Sequence, residues 1–154
     1  RGRLDPSMDI FEVLRGSYFT HGLSDDEVRQ IVAISELCSY SSNDEVIREF
    51  DPACDVFVIV EGKALVTTSS GDMIARPKVG AIVGEIGLFS NEFRTASVIS
   101  DGESRMVRVC GEELNALFDR EPAIGVKVLR NVGRTLCEHL RSSNVQLETV
   151  LNAL

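Results

Sequence analysis

The chain has 154 residues, 44% hydrophobic and 26% charged, with a formal net charge of −8. That length supports a core of ordinary size in one domain, and the composition is that of a soluble globular protein. The acidic balance argues against direct contact with nucleic acid, which needs clustered Lys and Arg, and no apolar run approaches the ~20 residues of a membrane-spanning helix.

Residues 1–36 read as an N-terminal helical segment. From Met8 to Gly16, the run MDIFEVLRG spaces Ile10, Phe11, Val13 and Leu14 as a short amphipathic helix closed by glycine. A second helix opens at Ser24, with Asp25 and Asp26 in its first turn and Glu27 three residues on, a capping-box signature. Its expected buried stripe is Val28, Ile31, Val32 and Ile34.

Over residues 37–110 the period changes. EVIREF, DVFVIV, KALVTTSS, DMIARP, AIVGE, TASVIS and ESRMVRV are short segments rich in Val, Ile, Thr and Phe, separated by Asn-Asp, Asp-Pro, Glu-Gly, Ser-Gly and Asp-Gly. Such spacing predicts a mainly β jelly-roll, barrel or sandwich, with hairpin turns at Ser70-Gly71 and Asp101-Gly102.

Helical periodicity returns over residues 111–154, first in GEELNALFDR and then from Pro122, which suits a first helical turn. Leu129, Leu136, Leu140, Leu147, Val150 and Leu154 recur at three-, four- and seven-residue spacings, with Gly133 and Ser143 interrupting the seam. The expectation is a long helix that packs near a pocket and pairs with its copy in a homodimer. The alternative is an amphipathic helix folded back on its own barrel.

Cys38, Cys54, Cys110 and Cys137 are scattered, without zinc-site spacing, and are expected to be small buried hydrophobes. With no secretory signal at the start, the expected location is cytoplasmic and a disulfide framework is not expected. His21 and His139, the only histidines, read as surface residues and are too few for the metal site of a cupin-type barrel. No hydrolase, zinc-protease or nucleoside-triphosphate loop motif occurs, so no catalytic residue and no metal is assigned, and the chain is not expected to be an enzyme.

The chemistry concentrates in GEIGLFSNEFRTAS, Gly84 to Ser97. Gly84 permits backbone angles that a side chain resists, and Ile86, Gly87, Leu88 and Phe89 could wind one turn after Glu85 before Ser90 and Asn91 break it. Free N–H groups at such a turn, with the planar fork of Arg94 returning across the loop, suit phosphate oxygens. Glu85 suits hydroxyl groups, as acidic residues do with ribose. Together the pair reads as a receptor for one ribose and one singly charged phosphate, the two features of a cyclic nucleotide.

This segment resembles the phosphate-binding cassette of the cyclic nucleotide-binding domain family. Gly84, Glu85, Ile86 and Gly87 match the first half of its pattern, and Arg94, Thr95, Ala96 and Ser97 match the second. REFDPACDVFVIVEGKALV, Arg48 to Val66, resembles the strands and hairpin that lead to it. Phe93 stands where the family often has proline, and Val83 where it often has an aromatic residue. The resemblance implies a regulatory sensor module with ligand contacts at Gly84, Glu85, Ile86, Gly87, Arg94, Thr95 and Ala96. The expected pocket lining is Ile74, Ile82, Val83, Leu129 and Val132. Thr95 sits where members of either preference carry a hydroxyl, and cyclic AMP is slightly favoured over cyclic GMP. In the family the C-terminal helix closes over the base and carries the signal to an effector, expected here outside this chain. The alternatives are a ligand-free relative serving dimerisation or docking, and a sugar or nucleotide enzyme on a cupin-like barrel.

Overall fold

The computed structural model describes residues 6–90 and 93–154. Residues 1–5 of the N-terminal segment lie outside the described residues, as do Asn91 and Glu92 of the cassette, including the turn-breaking role expected of Asn91.

Helix α1 spans Pro6–Arg15 and stops at Gly16, whose N–H donates to the Glu12 carbonyl at 3.0 Å. A 3-10 turn at Tyr18–Thr20 follows, and then α2 at Asp25–Val32. The capping box forms as expected: Ser24 Oγ accepts from the Glu27 N–H at 3.2 Å, and Glu27 Oε1 accepts from the Ser24 N–H at 2.9 Å. Val28 and Ile31 are fully buried, while Val32 and Ile34 pack at the margin of the core because the helix ends at Val32.

Six strands make one antiparallel, strongly bent sheet: β1 (Ser35–Tyr40), β2 (Glu45–Ile47), β3 (Val56–Thr67), β4 (Met73–Ala75), β5 (Ile82–Val83) and β6 (Ser97–Val109). Strands β3 and β6 pair along their whole length, from Val56 opposite Val109 to Thr67 opposite Ser97. Strands β1 and β5 join one end of this ribbon, while β2 and β4 join the other. The result is the jelly-roll expected from the sequence.

Two details differ from the sequence pattern. Glu61-Gly62 and Asp101-Gly102 are not turns: the chain runs through both, and β3 and β6 bend together there with shifted register. The corner explains this. Gly62 has φ +80°, and a Cβ on it would lie 2.5 Å from the Glu103 carbonyl oxygen. Opposite it, buried Ser100 and Ser104 share a 2.6 Å hydroxyl contact, and the Ser100 hydroxyl donates to the Gly102 carbonyl at 2.7 Å. The local hydroxyls thus satisfy the backbone that the bend releases from regular pairing. Ser70-Gly71 does turn the chain, with Gly71 donating to the Thr68 carbonyl before β4 returns. The second difference is β1, whose sequence SELCSY has no β-branched residue and is held as a strand by six pairings with β6.

The run DVFVIV is almost continuously apolar because β3 is buried on both faces. Val56 and Val58 join a cluster with Ile10, Leu14, Val28, Ile31, Leu114, Ile124 and Val128, which fastens the helices to the roll. Phe57 and Ile59 point the other way, into an inner cluster with Ile47, Val83, Val98 and Met106. The chain closes with α4 (Gly111–Arg120) and α5 (Pro122–Asn152). Asn131 anchors α5 by donating through Nδ2 to the carbonyls of Phe19 and His21, at 3.0 and 2.9 Å. No described helix is long and apolar enough to cross a membrane. The cysteines are free thiols, but Cys38, Cys54 and Cys110 are only half-buried and Cys137 is exposed, so the expectation of buried hydrophobes does not hold.

Candidate functional site

A cavity of about 710 Å³ opens beside the inner cluster, and Ile47, Val83 and Val98 belong to both. Its floor is apolar. One wall is the stretch from Ile82 through Gly84, Glu85, Ile86 and Gly87, which leads from β5 into the short helix α3 (Glu85–Ser90). Phe93, Arg94, Thr95 and Ala96, the segment from Ile74 to Pro77, and His139 and Ser143 of α5 complete the lining.

Arg94 is only 5% exposed. Its Nη1 donates to the Gly84 carbonyl at 2.8 Å and its Nη2 to the Asp55 carbonyl at 2.6 Å, while its Nε is buried without a partner. These contacts account for the glycines of the motif. Gly84 has φ +88°, which glycine adopts without strain, and a Cβ there would meet the Asp55 carbonyl oxygen at 2.7 Å. A Cβ on Gly87 would lie 2.7 Å from Arg94 Nη1, so any side chain there would have to push the guanidinium from its present position. The backbone holds Arg94 from the other side as well: Phe50 N–H donates to its carbonyl at 2.9 Å and its own N–H donates to the Asp51 carbonyl at 3.0 Å. Ser97 Oγ accepts from the Glu49 N–H and extends this strap.

The charge of Arg94 has no carboxylate in contact among the described residues. Asp55, whose carbonyl Arg94 holds, directs its carboxylate to the Gly111 N–H at 2.9 Å and to Arg108. Burial therefore pulls the Arg94 pKa down, against an upward influence of Asp55, Cys54, Asp51 and Glu85. A pairing of Arg94 with Glu85 in the free protein, the simplest way to compensate a buried arginine, does not occur: two carbonyl dipoles take that role. Glu85 is half-buried, and burial raises its carboxyl pKa, opposed by its own backbone N–H, His139 and Arg94. The Tyr18 hydroxyl is pushed up to about 12, first by burial and then by the charge of Glu85, while Thr135 of α5 opposes the rise through a hydrogen bond. The 3-10 turn, the cassette and α5 thus meet around one carboxylate.

The structure brings Gly84, Glu85, Ile86, Gly87, Arg94, Thr95 and Ala96 to one cavity, together with Ile74, Ile82 and Val83. Leu129 and Val132 do not line it. Val132 is 1% exposed in the core beneath the helices, and Leu129 faces solvent. The helix reaches the cavity about two to three turns beyond Val132, at His139 and Ser143, so His139 is more than a surface residue. Arg76 and Phe93 also line the cavity and carried no signal beyond their neighbourhood of the cassette. Among the described residues no cluster of His, Cys, Asp or Glu could hold a metal.

Residues 37–121, more than half of the chain, match the family model described as the cyclic nucleotide-binding domain. Glutaminase 1 of Bradyrhizobium diazoefficiens is 25% identical over 148 residues, 95% of this chain and 24% of that protein. A putative potassium channel protein of Rhodopseudomonas palustris is 29% identical over 126 residues, 80% of this chain and 30% of that protein. The chain thus spans about a quarter to a third of these curated relatives. The crystal structure of a cyclic nucleotide-binding domain from Methylobacillus flagellatus superimposes with a TM-score of 0.78 at 22% identity, over 93% of this chain and 83% of that one, a likeness of fold.

Proposed function

Since the chain belongs to the cyclic nucleotide-binding domain family, we propose that the cavity binds a cyclic nucleotide and that binding moves the outer half of α5. The observation that carries this reading is Arg94: a buried cation without a contacting carboxylate, at the wall of an apolar cavity, with an unpartnered Nε. A guanidinium has five N–H donors, and two are engaged, so a singly charged phosphate can be added without displacing either carbonyl. Glu85 serves the ribose 2′-hydroxyl, and the N–H groups near Ile86, Gly87 and Ala96 complete the cradle, with Thr95 at its edge. The volume lies within the range of small-molecule sites. Between the bases, the sequence favours cyclic AMP slightly.

His139 and Ser143 couple the site to α5, because they are the points at which that helix meets the ligand cavity. Leu140, Leu147, Leu151 and Leu154, on the same outer stretch of the helix, are all more than half exposed and form the seam of a homodimer. Charged residues at Leu140 and Leu147 should leave a monomer in sedimentation, and a parent that is monomeric at high concentration ends this part of the reading. Matching a quarter of a glutaminase and under a third of a channel protein fits a regulatory module joined to differing effectors, rather than an enzyme in itself. Four free thiols fit a reducing, cytoplasmic setting.

One observation favours a second reading. Arg94 already holds two carbonyls, so it also suits a ligand-free relative whose arginine braces the fold for docking. Titration calorimetry separates the two. Arg94→Ala should weaken binding at least tenfold, since a charge-assisted contact contributes about 1.5 to 3 kcal/mol. Unchanged affinity in a folded variant, or no heat from the parent with any cyclic nucleotide, supports docking instead. Glu85→Ala should matter less for a 2′-deoxy cyclic nucleotide than for the natural one.

A further inference from the structure

Asp55 stands between two arginines. The register of the sheet puts Arg108 of β6 opposite Glu36 of β1, and Val109 opposite Val56, the first residue of β3. Asp55 therefore enters β3 beside Arg108. Arg108 Nη2 lies 2.5 Å from Glu36 Oε1, and its Nη1 reaches Asp55 Oδ2 at 3.5 Å. The other carboxylate oxygen of Asp55, Oδ1, accepts from the Gly111 N–H at 2.9 Å. That bond caps α4, since the N-cap residue Cys110 makes no such bond with its own side chain. On its other side, Asp55 offers its carbonyl to Arg94 Nη2 at 2.6 Å, so its carboxylate is tethered within one residue of the buried guanidinium. Of the charges acting on Arg94, that of Asp55 is the largest. A carboxylate in contact with Arg94 would occupy donors that an anion needs and would set a like charge against it.

We infer that Arg108 is a positioning residue for the anion site: it holds the Asp55 carboxylate off Arg94 and so keeps the Arg94 donors free for phosphate. The inference rests on the cavity being a cyclic nucleotide site. Arg108 does not line that cavity, so it acts only through Asp55. The Gly111 N–H alone secures one carboxylate oxygen; Arg108 takes the second and balances the charge. Without it, a half-buried carboxylate with an unsatisfied oxygen and a buried guanidinium without a carboxylate partner would face each other across a single residue. Pairing relieves both, because each is costly to leave uncompensated away from water. The pair would form in the free protein, and a phosphate would have to displace it.

Calorimetric titration of the whole chain tests this, with cyclic AMP or cyclic GMP, whichever binds the parent more tightly. Arg108→Met should weaken binding at least about fivefold, the lower end of coupling between separate sites. Adding Asp55→Asn should recover most of that loss. Asparagine still accepts from the Gly111 N–H and keeps the carbonyl, but it gives Arg94 no carboxylate to take. A merely structural loss would instead persist or deepen with the second change. Arg108→Gln, the milder variant, carries the same test if circular dichroism shows Arg108→Met unfolded. Glu36→Gln removes the closer ion pair of Arg108 but leaves its hold on Asp55, so affinity should stay within about twofold of the parent. Unchanged affinity in folded Arg108→Met overturns the inference and leaves the site intact. A double variant that binds no more tightly than Arg108→Met overturns it too, as does an equal loss in Glu36→Gln. A parent that binds neither nucleotide removes the cyclic nucleotide reading itself and the inference with it.

Discussion

Over its first half, α5 buries Ile124, Val128 and Val132 to 1% exposure or less and is held by Asn131 to the 3-10 turn and by Lys127 to Glu27 of α2. From Cys137 to Asn152 every residue is exposed, and only His139 and Ser143 touch the cavity. Backbone hydrogen bonding is continuous across both halves, so the contrast lies in the surroundings. The inner half is part of the core that holds the roll together. The outer half carries leucines of equal size with nothing packed on them, so it can change position without breaking that core. A ligand that touches the outer half therefore faces a small opposing energy, which is what coupling between a site and a moving element requires.

The sharpest way to break this contrast is to truncate one apolar side chain in each half. Ile124→Ala opens a cavity in the main cluster and should destabilise the fold by about 2 to 5 kcal/mol. Leu151→Ala, in dilute protein, should change stability by no more than about 0.5 kcal/mol. Urea unfolding of both variants is the check. Equal losses would mean that the outer half is packed on something, and the division of the helix would be wrong.

Next in size is Gly133, which stands where burial ends. A Cβ built on it meets nothing within 4 Å, so alanine fits without steric cost. Gly133→Ala should raise stability by up to about 1 kcal/mol through helix propensity alone. If the outer half bends toward the cavity at this point, the same change stiffens the bend and weakens nucleotide binding. Stabilisation with unaltered affinity places the pivot elsewhere on the helix.

Much of this was legible in the sequence, for local reasons. The capping box at Ser24 and Glu27 depends on three-residue spacing, and Gly84 and Gly87 both pass the Arg94 guanidinium, ten and seven positions away. Long-range geometry was not. Asp101-Gly102 has the composition of a hairpin turn, but the pairing of β3 with β6 carries the strand through it as a bend. Ser35–Tyr40 becomes a strand through β6 rather than through its own propensity. Heptad spacing located an apolar side of α5, yet it could not say which neighbour each turn would meet. The spacing therefore points Val132 at the pocket although it belongs to the core, and it is silent on His139 and Arg76, which line the cavity.

The smallest expected effect concerns the clasp that fixes the inner half, Lys127 Nζ to Glu27 Oε1 at 2.8 Å. Hydrogen bonding from Lys127 is the main cause that lowers the Glu27 pKa, followed by the Ser24 backbone N–H. A carboxyl group depressed on folding contributes stability that is present above its unfolded pKa and is lost as pH falls through its folded one. The clasp should therefore act at neutral pH and fade below about pH 4. Lys127 is 40% exposed, which screens the pair, so its share should be below about 1 kcal/mol. Glu27→Gln isolates that share, because glutamine still reaches the Ser24 N–H in the capping box but carries no charge. The parent should be more stable than this variant at pH 7, and the two should converge as the pH falls through the lowered pKa of Glu27. Lys127→Met should remove the same increment. A gap between parent and Glu27→Gln that does not narrow as the pH falls would show that the capping bond, and not the link to α5, is what glutamine disturbs.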